Sequence, residues 1–308
     1  MKNLAYAMEY VQKIDSNKSF FLRIGIAEVD HLKPHEESVP ESLEKLLQAI
    51  KESRFLKNPI IVDFESNVIL DGMHRWYVFK KLGYDYIGVC YVDYKSPLIK
   101  LGRWFRFFKG NAAHYSITNW IENFLEENSI PVEWIDRNSL NNLDITNTAI
   151  VLIKNIDDVL AIKANHRKKH EFYHVLKSMC TGLKNNFGLT LYYKPDVSFA
   201  KLPELLDTYS LILATPVVEK EEVLKVALSG KVFPPKTTRH EIPARPMFVN
   251  FPINLLKSST VGDLHTVNRY FRNLLRHKNI IHLRPGLELD REYREDIILF
   301  WDTRVGVP

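Results

Sequence analysis

"VILDGMHRWYVFKKLG", residues 68–83, sets a short apolar run, a glycine and an amphipathic segment around three polar groups, Asp71, His74 and Arg75. Val68 to Leu70 reads as the end of a strand, and Trp76 to Leu82, followed by Gly83, reads as a helix with a natural stop. A strand that turns through Gly72 into a helix near His74 aims free backbone N–H groups and the positive end of a helix dipole at one point. Such a corner suits phosphate. Gly72 lets the backbone approach a ligand or take positive φ, and Arg75 can fork onto phosphate oxygens as lysine cannot. Asp71 is a candidate Mg²⁺ ligand or a helix cap. A capped helix with Arg75 in a surface ion pair stays open as the plainer alternative.

Outward from this corner, helix and strand signals alternate. Pro40 opens an amphipathic helix over 40–54, with Leu43, Leu46, Leu47 and Ile50 on one face. "NPIIVDF" and "NVIL" around "ESN" read as a hairpin, and "YIGVCYVDY" as the next strand. Further helices are expected over 116–127, 165–181 and 219–230, with strands at 149–153, "LTLYY" and "YSLILAT". Near the C-terminus Asp263 is placed to cap a helix bearing Leu264, Val267, Phe271 and Leu275, and "REYREDIILFWD" supplies an apolar edge. The fold class is α+β (mixed α/β). The expected divisions are an N-terminal domain over 1–110, a second, smaller α/β lobe over 111–250 and a helical extension over 251–308.

Composition narrows the function classes. With 45% hydrophobic and 26% charged residues the chain can bury a substantial core. A formal net charge of +5 is too mild to demand a polyanionic partner, yet it is compatible with small anions. Two cysteines, Cys90 and Cys180, sit in apolar or helical patterns, which argues against a disulfide framework and for a reducing compartment. No apolar run approaches the ~20 residues of a membrane helix, and the N-terminus lacks a signal-peptide pattern, so a cytoplasmic location is expected.

Two further stretches carry chemistry. "LKPHEESVPESLEKL", residues 32–46, places Lys33, His35, Glu36 and Glu37 in a loop just ahead of a helix, which makes Glu36 a candidate general base. "VFPPKTTRHEIP", residues 232–243, lines up Lys236, Thr237, Thr238, Arg239 and His240 behind two stiffening prolines. That density of hydroxyls and cationic donors fits an anion. His166, His170 and His174 would stack on one helix face, but nothing nearby completes a metal site, and a histidine stripe is the better reading. The basic run 166–170 likewise reads as a solvated face, and nucleic-acid binding is not expected.

Taken in order, "KPHE" before a helix, "DGMHRW", "GRWFRFFKG" and "PKTTRH" resemble the free L-serine kinases built on the ParB/sulfiredoxin fold, from about residue 24 to about 245. The resemblance implies a ParB/sulfiredoxin-like N-terminal domain and a Mg²⁺-dependent transfer of phosphoryl from ATP or ADP to the hydroxyl of free L-serine, giving O-phospho-L-serine. It implies that Glu36 is the general base and that Asp71, Gly72, Met73, His74 and Arg75 hold the nucleotide phosphates and metal. Lys236, Thr237 and Arg239 would meet those phosphates, Thr238 and His240 would touch the amino acid, and Trp104 and Val39 would line its pocket.

The family carries histidine where this chain has Met73; a backbone N–H survives that change, whereas any role for a second imidazole does not. Sulfiredoxins place their reactive cysteine there, and methionine cannot replace it. A ParB-type DNA-binding regulator is the other alternative, and it would require a helix-turn-helix after the phosphate corner. A third possibility is a kinase for another small hydroxylated metabolite. Oligomeric state is not legible.

Overall fold

The structure, a computed structural model, describes residues 6–14, 16, 18–195, 197–288 and 292–301. The chain opens with β1 (Tyr6–Lys13), β2 (Ser19–Glu28), α1 (Pro40–Glu52), β3 (Phe55–Leu56), β4 (Ile60–Asp63), β5 (Ile69–Asp71), α2 (Met73–Lys81) and β6 (Tyr86–Val92). It continues through β7 (Lys100–Lys109), α3 (His114–Glu127), β8 (Val132–Asp136), β9 (Thr148–Ile153), β10 (Asp158–Lys163), α4 (Lys169–Phe187) and β11 (Thr190–Pro195). Next come α5 (Leu202–Leu205), β12 (Leu211–Ala214), α6 (Lys220–Leu228) and β13 (Thr238–Glu241). The last part holds β14 (Ala244–Met247), β15 (Phe251–Pro252), α7 (Ser258–Val261), α8 (Leu264–Leu275), β16 (Asn279–Leu283), β17 (Leu287–Glu288), β18 (Glu292–Tyr293) and β19 (Asp296–Trp301). The mixed α/β class expected from the sequence is the class found.

Two compact units emerge, and both are discontinuous along the chain: 1–100 with 227–231 and 240–308, and 101–226 with 232–239. The first unit is built on a five-stranded sheet in the order β1-β2-β6-β4-β5. The expected hairpin is there, β4 pairing antiparallel with β5, while β4 runs parallel to β6. All seven residues of β6 are buried, as a strand covered on both faces should be. Phe251 reaches this strand because residue 88 is glycine: a Cβ there would lie 2.5 Å from the Phe251 ring. Phe251 in turn stacks on Phe271 of α8 at 4.5 Å.

Helix α8 starts where the sequence puts it, with the Asp263 side chain accepting from Thr266 N. Its Asn268, 1% exposed, substitutes for a strand: Ile26 N donates to Asn268 Oδ1 and Asn268 Nδ2 donates to Ile26 O, both at 2.9 Å. Strand β1 pairs Tyr6 with Gly25, so the side-chain amide takes over the ladder one residue beyond that pair. Truncating Asn268 to alanine strands a buried donor and a buried acceptor. The expected loss is about 2 kcal/mol or more, read as a lower urea midpoint. An unchanged midpoint would overturn this account.

The C-terminal segment is more than helical. A three-stranded sheet, β14-β19-β16, joins α8, with Ile297 and Ile298 of β19 fully buried. "IILFW" is a short continuous apolar run rich in β-branched and aromatic residues, and its strand lies between β14 and β16, buried at Ile297, Ile298 and Phe300.

In the second unit the sheet runs β11-β7-β12-β9-β10-β8, with β13 also against β7. Its strands alternate between two cores. Phe108, Val151, Leu160 and Leu211 meet α3 and α4 through Ile121, Phe172 and Leu176. Phe107, Leu152, Ala161 and Ile212 face the other way, onto Leu202 and Leu206. Strict period-two burial on both faces is why these strands read as near-continuous apolar runs.

Helix α4 begins at Lys169, not at 165, because Lys168 is extended (φ −62°, ψ 141°). His166 therefore lies in the preceding turn and does not stack with His170 and His174. His170 is buried, and His174 Nε2 contacts Val232 O at 3.1 Å, so the stripe expected on one exposed face is not formed. Both cysteines are buried free thiols, and burial holds Cys180 up at about 11. Among the described residues no helix is long and apolar enough to cross a membrane.

Candidate active site

In the first unit the candidate residues gather on the strand-to-helix corner between β5 and α2. Asp71 ends the strand. Gly72 then takes a left-handed conformation (φ 91°, ψ 23°) as the residue preceding the helix, and α2 starts at Met73. Gly72, not Asp71, thus stands at the cap position and brings no side-chain cap of its own. The first-turn N–H groups of Met73, His74 and Arg75 lie at the N-terminal end of α2, the position that the phosphate-corner reading gives them.

The loop 33–39 is tied to this corner by backbone and side-chain bonds. Lys33 N donates to Asn67 O at 2.9 Å and Ile69 N to Lys33 O at 3.0 Å, a single parallel bridge next to β5. His35 lies beneath, 3% exposed, its Nδ1 2.6 Å from Ile69 O. A carbonyl only accepts, so Nδ1 carries the proton. Burial lowers the pKa of this ring below its ordinary value despite the opposing pulls of Glu36, the Ile69 carbonyl and Asp71, so near neutral pH the ring is uncharged. His74 reaches back to the same loop: Val39 N donates to its Nε2 at 3.1 Å. Tyr77 of α2 donates its hydroxyl to Glu36 O at 3.3 Å. One helical face, His74 and Tyr77 at i, i+3, therefore holds the loop that carries Glu36.

Glu36 itself is 14% exposed at its side chain, with Oε1 3.9 Å from His35 Nε2. His240 joins from the far end of the unit. Its ring meets His35 edge-on at 5.1 Å, and its Nε2 shares a 2.8 Å hydrogen bond with Tyr94 OH. A carboxylate in this half-dry setting, beside a neutral imidazole, can accept a proton from a hydroxyl brought within reach.

Arg75 is partly committed elsewhere. Its Nη1 donates to Asn58 O and Pro59 O at 2.7 and 2.8 Å, and its Nη2 lies 3.4 Å from Asp71 Oδ2. Closer to Asp71 than Arg75 is Arg245, whose Nη1 donates to Asp71 Oδ2 at 2.7 Å. Burial alone would lower the pKa of Arg245, but Asp71 and Glu295 on either side raise it, so this cation is permanent. Arg245 was not legible as a site residue; a lone arginine between two prolines has no pattern to read.

A metal ion has no ready cage here, since among the described residues no group of three His, Cys, Asp or Glu converges. Mg²⁺ that takes most of its ligands from phosphate and water needs only one or two protein carboxylates. Asp71, with a 40% exposed side chain, fits that role.

The second unit carries Trp104, Lys236, Thr237, Thr238 and Arg239, and it brings them together. Trp104 Nε1 donates to Thr238 O at 3.1 Å. Lys236 Nζ lies 4.6 Å and Arg239 Cζ 5.9 Å from the centre of the Trp104 ring, so two cations share one aromatic platform. Lys236 turns the chain at φ 59°, and Thr237, fully buried, donates its hydroxyl to Pro234 O at 2.8 Å. The hydroxyl proton of Thr237 is thus committed within its own turn. A separate cavity of about 520 Å³ in this unit, beside Lys109, His114 and Ser210, contains none of these residues.

No family model matches the chain. It is 28% identical over 237 residues to an ATP-dependent L-serine kinase of Staphylothermus marinus, covering 75% of this chain and 90% of that protein. It is 26% identical over 226 residues to an ADP-dependent L-serine kinase of Thermococcus kodakarensis, covering 71% and 87%. Among solved structures, a free serine kinase in complex with AMP superposes with a TM-score of 0.60 at 23% identity, over 76% of this chain and 93% of that one. The resemblance first carried by four short motifs thus extends over some three quarters of the sequence: the chain is similar to the L-serine kinases and has the fold of the free serine kinase.

Proposed function

We propose that the protein is a kinase that transfers a phosphoryl group from ATP or ADP to the hydroxyl of free L-serine, releasing O-phospho-L-serine. The observation that carries this reading is the fastening of the Glu36 loop onto the strand-to-helix corner at Gly72, through Ile69, His74 and Tyr77. Base and phosphate corner belong to one rigid construction.

In this reading Glu36 takes the proton of the serine hydroxyl as its oxygen bonds to phosphorus. The neutral His35 beside it adds no positive charge of its own next to the carboxylate. Gly72, Met73, His74 and Arg75 offer their backbone N–H groups to the phosphates, Asp71 is the residue that would hold Mg²⁺, and Val39 and His240 border the amino acid. Bound Mg²⁺ would supply neutralisation of the charge on the phosphate oxygens. For Trp104, Lys236, Thr237, Thr238 and Arg239 the roles implied by the resemblance are retained in the same proposal. After α2 the chain enters β6 and β7 directly, which gives a ParB-type helix-turn-helix no place there.

Phosphorus NMR of the protein with Mg²⁺, L-serine and either ATP or ADP tests the proposal. A phosphoserine resonance is expected, and the tube in which it appears identifies the donor. Nucleotide binding without phosphoserine in either tube would overturn the serine assignment and favour another hydroxylated acceptor.

A further inference from the structure

We infer that Glu295, acting through Arg245, is a positioning residue for Asp71, which makes the segment leading into β19 part of the phosphate-handling site. The inference rests on the kinase reading for what Asp71 does in turnover, but its geometry does not depend on that reading.

Arg245 projects from β14 with a side chain 13% exposed. Its Nη1 donates to Asp71 Oδ2, while its Nε forms an ion pair with Glu295, itself 14% exposed. One guanidinium is therefore shared between two carboxylates, and its plane is fixed by both. Arg245 and Arg75, whose Nη2 lies 3.4 Å from the same Oδ2, both face Asp71 at a partly dehydrated site where such pairing is strong. Glu295 holds the other edge of the Arg245 guanidinium and draws part of its field to itself. Asp71 then keeps a defined orientation and is less fully neutralised by Arg245 than it would be without Glu295, in the way that outer residues tune a ligand they do not replace.

Glu295 has little freedom to leave. Asp296 N, the next residue, donates to Pro243 O at 3.1 Å, and the parallel register sets Arg245 against Ile297. The Asp296 carboxylate is pinned from the other direction, accepting from Gln12 Nε2 at 3.1 Å and lying 3.2 Å from His282 Nε2. Gln12 belongs to β1 and is 4% exposed. Two adjacent acidic residues thus lock the start of β19, one to the central sheet and one to the arginine that holds Asp71.

The test is a double-mutant cycle on the full chain, with Mn²⁺ as the metal probe, ADP present, and binding read by electron paramagnetic resonance. Glu295→Gln is expected to weaken Mn²⁺ binding about tenfold, the scale on which outer partners act. In an Asp71→Asn background the same substitution should change nothing further. In turnover the expected signature is a fall in kcat with KM for L-serine unchanged, and partial recovery in Glu295→Asp. Equal effects of Glu295→Gln with and without Asp71, or unaltered Mn²⁺ binding, would overturn the inference. If the wild type makes no phosphoserine yet the cycle shows coupling, the kinase reading fails and the inference stands. Phosphoserine without coupling would leave the kinase reading in place and overturn the role of Glu295. Should Glu295→Gln fail to fold, Arg245→Lys carries the same cycle, because an ammonium cannot hold two carboxylates in one planar fork.

Discussion

Replacing Glu36 by glutamine is expected to lower phosphoryl transfer to L-serine by about 10²-fold or more, with nucleotide binding retained, as befits loss of a general base. The amide has the same shape, so the backbone bond from Tyr77 and the packing of His35 should survive. What disappears is a proton acceptor at a position that is only 14% exposed, where bulk water is poorly placed to substitute. Calorimetric titration with ADP separates binding from chemistry: an unaltered isotherm together with collapsed turnover is the expected pair. Turnover within a factor of a few of the wild type would remove Glu36 from the mechanism and leave the proton to another group.

Gly72→Ala is expected to damage both stability and nucleotide binding. The residue sits at φ 91°, where an L side chain is strained, and a Cβ would lie 2.5 Å from Ile60 Cγ2 and 2.8 Å from Arg75 Nη2. Ile60 is wholly buried in β4, between β5 and β6, and cannot step aside cheaply. Left-handed strain and overpacking together are expected to cost about 2–4 kcal/mol. Relief of the clash would rotate the start of α2, so the N–H groups of the corner would no longer converge and affinity for ADP should drop by about tenfold or more, equivalent to one lost charge-assisted hydrogen bond. A variant with an unchanged denaturant midpoint would show that the corner is not built as described. One that is destabilised yet binds ADP normally would show that phosphate is held elsewhere.

How much of this was legible follows from sequence distance. The corner was readable because its parts are contiguous: an apolar run, a glycine and an amphipathic segment announce strand, turn and helix within sixteen residues, 68–83. The α1 and α8 helices were readable for the same reason, Pro40 and Asp263 marking their starts. The partners that make the corner specific were not. Arg245 meets Asp71 across 174 residues and His240 meets Tyr94 across 146, and nothing local in either arginine or tyrosine announces the meeting. Asn268 looked like a neutral residue on an amphipathic helix, while in the fold it completes the ladder of a strand 242 positions away. The histidine spacing at 166, 170 and 174 misled because periodicity says nothing about where a helix begins; Lys168 stays extended and breaks the series. Arg75 has its place in the first turn of α2 from the sequence, but its two carbonyl contacts at Asn58 and Pro59 could be seen only once the chain preceding β4 was placed.

The discontinuity of the first unit has a consequence for how the protein is made. A ribosome emitting this chain releases β1 to β6 first, then the whole of 101–226, and only afterwards the residues from 240 onward that finish the opening sheet. Until Asn268 emerges, the Ile26 amide and carbonyl have no side-chain partner, and until Phe251 emerges the surface of β6 at Gly88 is bare. The second unit has nearly all of its strands in hand well before that. Nascent chains whose emerged part ends near residue 240 should therefore carry an ordered later-encoded unit and an unfinished earlier one, with apolar strand surface open to chaperones. The first unit begun is thus the last that can be completed, and the last seventy or so residues are what cover the first hundred.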